Sequence, residues 1–588
     1  MPTTFPMRRG ALIAAAASAL LLGTVLRAAE RAPERPELEA LTSPHEARGE
    51  LDALCRALLD VVIKRPASRA ASLAWIQLEQ RLVDSSAEVR RLARQRLQAL
   101  APDTAFAGAA DRDRALANRD RALALLAHLE AQAGAYEQAQ ALQDRRGLVR
   151  RWLVVGPFGV SPNGDHERVF PPERLGADTP LDLARGFDER GRSRRWRPAE
   201  IAGIEDRLVP AGFLEPTNGS AYLLTHLRWR SDRRAQLRIT SGASLRLWCN
   251  GVRALEVDRA RAWGPRTYTV DLVPEGGWQR LLLKVSPANA AVTVTIAGVQ
   301  GSPRLEITER PALATAPGGR ARLLPARAAL PERPDGNDAD ALFATGVEWF
   351  AAGAIPDAVG LLSDALERRP GDPWIRLWLA RALSRTPHLG AQRRRSEAER
   401  HWQTLQQQAP DLYPVRLHTA LALKDEGKPV EAFRALAALA RDVPDAIAPL
   451  REAVSLAVAH RWWREAQDML ARWRARRPAS AAALVAAARV AEQRGNPHDA
   501  MALLTTAWRH DRSDRANALA LLRLALAAGD TGRAQTLLAS CERAWPGALE
   551  FRYQRARLAL AQGDLETSCT AWEEAAERGG GMVEPWLQ

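Results

Sequence analysis

The C-terminal half of the chain is ruled at intervals of 34 residues. Gly427, Gly495, Gly529 and Gly563 share one register, with Arg461 in the vacant slot. Five positions after each comes a small residue: Ala432, Ala466, Ala500, Ala534 and Ser568. A fixed period of this length marks stacked supersecondary units, because one unit cannot bury its apolar face alone and a row of them can. Each period predicts two amphipathic helices joined by a short turn. The Gly sits at that turn, where a residue without Cβ can end one helix and start the next. The small residue lies on the second helix and lets two backbones approach. Pro370, Pro410, Pro444, Pro478 and Pro546 close units, since proline cannot continue a helix interior.

With these features the segment resembles the tetratricopeptide repeat family. Its best unit is Ala339 to Asp372, where Gly346, Gly353, Ala358, Ala365 and Pro370 stand at that family's small-residue and proline positions. Further units begin near Pro373, Tyr413, Ile447, Ala481, Arg515 and Leu549, giving at least seven repeats over 338–588. The second carries six extra residues around Pro387 to Arg393, read as a longer turn between its helices. A further unit would begin at Val583 and place Trp586 where the family often has Trp. With no capping helix after it, the chain is expected to be a piece of a longer protein.

The formal net charge is +14, which suggests nucleic acid. The basic residues argue otherwise: Lys64, Lys284, Lys424 and Lys428 are the only lysines, and the rest are arginines spread among acids on helices, as on a solvated face. No nucleic-acid-binding module is recognisable, so no nucleic-acid partner is expected. At the N-terminus, Arg8 and Arg9 precede the uncharged run Ala11 to Leu26, followed by Ala28 and Ala29. Residues 1–29 therefore read as an export signal or an uncleaved inner-membrane anchor, and the rest of the chain is expected in the periplasm. Cys55, Cys249, Cys541 and Cys569 fit no zinc or disulfide framework and read as buried free thiols, with a Cys541–Cys569 bridge as the alternative.

Residues 30–145 read as helical; Gly134 and Ala139 repeat the Gly-to-small offset there. Residues 146–305 change character, with short alternating strands between Gly, Pro and Asn turns and a hairpin signal at Asn250-Gly251. The strand spacing predicts an all-β sandwich. Residues 306–337, rich in Pro and Ala, read as a linker. The run Leu245 to Gly251 followed by Gly277 to Val285 resembles a galactose-binding-like jelly roll. Upstream, Trp152 to Phe158 and Phe170-Pro171-Pro172-Glu173 resemble the lead-in of exported bacterial proteins that join such a sandwich to tetratricopeptide repeats, sometimes ahead of a transglutaminase-like domain. The fold class is thus multi-domain: an α-solenoid of helix-turn-helix repeats, an all-β jelly-roll sandwich and a helical N-terminal region.

Two sets of residues are candidate sites. Arg381, Arg489, Arg523 and Arg557 occupy one position in their units, the last three at 34-residue spacing. The repeat resemblance implies that this position faces a groove where peptides lie, and a guanidinium offers a bidentate fork to acidic side chains. On the sandwich, Trp248 and Arg246 alternate with Leu247 and Cys249, so they face away from the core and could stack on a sugar. Catalysis has no support. Gly156-Pro157-Phe158-Gly159 is not a phosphate-binding pattern, His166-Glu167 lacks a second zinc-ligand histidine, and neither metal nor cofactor is expected. The chain reads as an exported non-catalytic scaffold for protein or peptide partners. The alternatives are a carbohydrate- or envelope-polymer-binding protein, and a fragment of an enzyme whose catalytic domain lies beyond Gln588.

Overall fold

The computed structural model describes residues 41–579, apart from 107–110, 162–164, 176–181, 185, 190, 215–218, 230–234, 260–264, 275–276, 299–304, 309–320, 324–326, 329, 335–337 and 387–390. The export-signal segment 1–29 and Trp586 lie outside these residues. Two compact units emerge, each built from separated stretches. The first takes the described residues up to Arg96, with Pro331–Ala351 and Ile355–Arg494; the second takes Leu97–Leu330, Ala352–Ala354 and Gly495 onward. No described helix is long and apolar enough to cross a membrane.

The first unit contains four N-terminal helices, α1 (Pro44–Arg48), α2 (Leu51–Lys64), α3 (Arg69–Arg81) and α4 (Ala87–Leu97). It also holds the repeat helices α7 (Ala339–Ala351), α8 (Ile355–Arg368), α9 (Pro373–Ser384), α10 (Ala391–Gln408), α11 (Tyr413–Asp425), α12 (Pro429–Asp442), α13 (Ala448–Ala459), α14 (Trp463–Arg476) and α15 (Ala481–Gln493). The second unit has α5 (Arg112–Gln132) and α6 (Tyr136–Arg145), then the sandwich. Its repeat helices are α16 (Pro497–His510), α17 (Arg515–Ala527), α18 (Thr531–Ala544), α19 (Leu549–Ala561) and α20 (Leu565–Gly579).

The 34-residue register has the structural meaning its residues imply. Gly353, Gly427, Gly495, Gly529 and Gly563 hold left-handed φ values of 72–81° at the turn inside each pair. A Cβ on Gly427, Gly495, Gly529 or Gly563 would meet nothing within 4 Å, so conformation, not space, asks for glycine. Gly346 is the opposite case. It is helical, and a Cβ there would lie 2.8 Å from Leu362 Cγ, so it serves the close approach of α7 and α8. The small residues Ala358, Ala432, Ala466, Ala500 and Ala534 are fully buried on the second helices. Arg461 takes the glycine turn conformation at φ 57°. In the second repeat the extra residues are not simply a longer turn: α10 runs for 18 residues where α8, α12 and α14 run for 14, so part of the insertion is helical.

The sandwich is antiparallel throughout, with a seven-stranded sheet in the order β4-β1-β5-β10-β7-β8, β12 (Leu305–Thr308) also pairing with β5, and a five-stranded sheet in the order β11-β6-β9-β13 (Ala321–Leu323), β14 (Arg327–Ala328) also pairing with β9. β1 spans Arg151–Phe158, β4 Arg197–Glu200, β5 Ser220–Trp229, β6 Ala235–Ser241, β7 Ser244–Cys249, β8 Val252–Val257, β9 Arg266–Pro274, β10 Gln279–Ser286 and β11 Val292–Gly298. A small hairpin, β2 (Phe187–Glu189) with β3 (Arg192–Arg194), stands apart from both sheets. Leu223, Leu281, Leu283, Leu237, Ile239, Val270 and Val294 fill the space between the sheets. Asn250 and Gly251 make the expected hairpin turn with positive φ, and Asn250 Oδ1 accepts the Arg280 N–H at 2.8 Å.

Two expectations change here. The stretch read as a linker over 306–337 supplies strands: β12 (Leu305–Thr308) pairs with β5, while β13 (Ala321–Leu323) and β14 (Arg327–Ala328) pair with β9. Pro- and Ala-rich composition hid them, because a short edge strand needs only backbone partners. The larger sheet is also buried on both faces. A second core of Phe158, Phe170, Trp196, Tyr222, Leu224 and Leu282 covers the side facing away from the first. That double burial explains the unbroken Leu281-Leu282-Leu283 run.

Candidate binding surfaces

On the first unit, the first helices of the repeats meet the chain's own N-terminal helices. Ser43 caps α1, accepting the His45 N–H, and places Glu46 in its first turn. Glu46 is 3% exposed and accepts from Arg81 of α3 and, at 3.4 Å, from Arg381 of α9. Arg69, at the start of α3, donates to Glu348 Oε2 at 3.2 Å and to Thr345 Oγ1, both on α7. Asp84 receives Arg451 of α13 at 2.6 Å. Asp52 of α2 and Asp445 receive Arg477 at 3.2 and 2.5 Å. Between these polar anchors Leu58, Leu59, Val62, Leu73, Trp75 and Leu78 are buried. At Gly49 an added Cβ would lie 2.7 Å from Val443 and 2.9 Å from Tyr413. These contacts tie α1–α3 to the repeat helices.

Arg381 is therefore part of an internal ion cluster, with its guanidinium also 5.1 Å above the Trp378 ring. Its repeat equivalents differ. Arg489 on α15 is exposed in the first unit, and Arg523 on α17 and Arg557 on α19 are exposed in the second. Helices α17 and α19 pack together, and Leu560, one turn beyond Arg557, is 55% exposed.

The sandwich residues Arg246 and Trp248 point away from the first core, as their alternation implied, but that side is covered. Arg246 is 9% exposed; its Nε donates to Glu256 at 2.7 Å and its guanidinium reaches the Glu167 carbonyl at 3.3 Å. Trp248 is half-buried against the second core. Arg246 is thus engaged within the sandwich, while Trp248 keeps part of its surface exposed.

Under that cover lies a charge the sequence reading counted but did not use. Lys284 is fully buried, and its Nζ donates to Glu173 Oε1 at 2.9 Å, the His166 carbonyl at 3.0 Å and the Arg168 carbonyl at 2.5 Å. It also lies 5.0 Å from the Phe170 ring and 5.6 Å from that of Tyr222. The Tyr222 hydroxyl donates to the same Glu173 oxygen at 2.5 Å. Burial pulls the Lys284 pKa down and pushes that of Tyr222 up, the latter helped by the Glu173 carboxylate. Burial, with Arg246 and Lys284 nearby, also lowers His166. The Phe-Pro-Pro-Glu lead-in and the Leu-Leu-Leu-Lys-Val strand thus meet in one buried pair, which holds the cover in place. No group of His, Cys, Asp or Glu among the described residues could hold a metal. The four cysteines are free; Cys55, Cys249 and Cys541 are buried, while Cys569 is exposed, unlike its expected burial.

A further cluster was missed. At the α13–α14 turn, His460 stacks on Trp462 at 4.9 Å, and Phe433 of the preceding repeat meets the same ring edge-on at 5.9 Å. The signal was present in His460-Arg461-Trp462-Trp463-Arg464, which crowds aromatic and basic residues around the one turn without glycine.

No family model matches the chain, and no curated protein matches its sequence. Among solved structures, it is similar to YrrB, described as a TPR protein with an unusual peptide-binding site, at 13% identity and a TM-score of 0.27, over 31% of this chain and 94% of that one. A tetratricopeptide repeat protein from Parabacteroides merdae matches at 15% identity and a TM-score of 0.30, covering 42% of this chain and 96% of its own. Yeast Tom70 matches at 15% identity and a TM-score of 0.30, over 42% of this chain and 52% of that one.

Proposed function

We propose that this chain is an exported, non-catalytic scaffold that holds acidic segments of protein partners on the first helices of its C-terminal repeats. Arg381 carries the reading. At that repeat position the chain's own Glu46 supplies a carboxylate to the guanidinium, which states the ligand chemistry the position accepts. Arg523 and Arg557, on adjacent packed helices, present the same group to solvent and form the site; Arg489 holds the equivalent position in the other unit and is a separate test. The galactose-binding-like sandwich acts as a spacing module, since Arg246 and Trp248 are engaged within it. Rigid helices fix the guanidinium groups before binding and so reduce the ordering cost.

Fluorescence anisotropy with a labelled poly-glutamate peptide tests this. Charge-assisted hydrogen bonds contribute about 1.5–3 kcal/mol each, so Arg523→Ala with Arg557→Ala should weaken binding by about two orders of magnitude. Unchanged affinity in the double variant would refute the site. Fractionation of the native host tests export: recovery from the cytoplasm would remove that part of the reading.

A further inference from the structure

With α1–α3 packed on the start of the repeats, a partner of the first unit needs a surface they leave open, and the α13–α14 turn has the composition of one. Phe433, Trp462 and Trp463 are only partly buried, and His460 is exposed. The rings brace one another through the stacked and edge-on contacts at Trp462, so they form a rigid surface instead of mobile side chains. Around them Arg434, Arg461 and Arg464 are exposed, and none has a carboxylate partner among the described residues. Glu431 and Glu465, the nearest acids in sequence, pair with none of them. The arginine charge at this surface is therefore left for something else to neutralise.

The backbone adds an independent observation. Five equivalent turns use glycine at a left-handed φ, and this one holds Arg461 at φ 57°. A side chain there costs roughly 1–2 kcal/mol. A turn that only reversed the chain would gain nothing from it, whereas it carries an exposed arginine at the residue joining His460 to Trp462. Unfavourable backbone of this kind collects at binding sites.

We infer that this patch is a docking site for a protein segment that carries carboxylates interleaved with aromatic side chains. Trp and Arg dominate the energetics of protein interfaces, and the three unneutralised guanidinium groups select an acidic partner. An acidic protein segment fits better than a neutral sugar, because only it would neutralise Arg434, Arg461 and Arg464.

The experiment uses the full chain and a labelled peptide of alternating Glu-Glu and Phe-Phe pairs, followed by anisotropy. Arg461→Glu with Arg464→Glu reverses the charge at exposed positions without removing packing. It should weaken binding at least tenfold, while Arg523→Glu with Arg557→Glu leaves it within about twofold. Trp463→Ser should also weaken it, and an all-glutamate peptide should bind more weakly than the mixed one at this patch. Absence of binding to the wild type, equal binding of a Lys-for-Glu counterpart, or loss that follows Arg523 and Arg557 instead would overturn the assignment.

Discussion

Replacing Lys284 by Met tests whether one buried ion pair holds the outer cover of the sandwich. Met keeps the length and apolar stem of the side chain and removes only its charge. Glu173, 6% exposed, would then keep the Tyr222 hydroxyl and the more distant Arg246, 3.7 Å away, while the His166 and Arg168 carbonyls would lose their donor. Breaking one side of a buried pair costs about 3–5 kcal/mol, and the Arg246 guanidinium places this case near the lower end. Changing Lys284→Met together with Glu173→Leu removes the stranded charge, leaving unsatisfied neutral groups at about 1–3 kcal/mol. The double variant should therefore be more stable than the Lys284→Met single. Global unfolding of a multi-domain chain is not two-state, so the readout is native-state hydrogen exchange over 165–175, β5 and β10. Faster exchange in the single variant, partly restored in the double, is the expected pattern. A Lys284→Met protein that exchanges within about 1 kcal/mol of wild type would refute the role of the pair.

Three other perturbations follow from the geometry. Arg461→Gly relieves a left-handed side chain worth about 1–2 kcal/mol but adds unfolded-state entropy worth about 0.4–1 kcal/mol, so α13 and α14 should exchange amides slightly more slowly. Glu46→Ala strands Arg81 and Arg381, both partly able to rehydrate, so a loss of about 1–3 kcal/mol should appear as faster proteolysis in α1–α3. His226 is buried with its Nε2 accepting from Arg280 at 3.1 Å, and burial followed by the Arg280 charge lowers its pKa to about 4. The unfolded chain then binds the extra proton first: stability is fully present above about pH 6.5 and is lost as pH falls toward 4, by up to about 3 kcal/mol. His226→Gln should flatten the acid-side rise in native-state hydrogen exchange over β5 and β10.

What could be read from the chain was set by how local each interaction is. The repeats were readable because turn glycine, buried alanine and closing proline all act within one 34-residue unit. Arg461 was readable as an exception for the same reason, though only the structure shows that it adopts the glycine conformation unaided. Strand alternation correctly put Arg246 and Trp248 on the side away from the first core. It could not tell that Phe158, Phe170 and Trp196 arrive to cover that side, because a period of two reports direction and not what lies opposite.

The same limit decides the binding surface. Arg381, Arg523 and Arg557 are identical by register, and sequence position alone gives them one role. Glu46 separates them: it lies 335 residues from Arg381 and neutralises it. A repeat position thus confers a direction on a side chain, while occupancy is assigned by chain segments far away in sequence. In this protein the N-terminal helices occupy Arg381, while arginines stay exposed at the α13–α14 turn and on α15, α17 and α19. If partners bind through guanidinium groups, affinity should follow which arginines stay exposed at the surface, not which ones fit the repeat consensus.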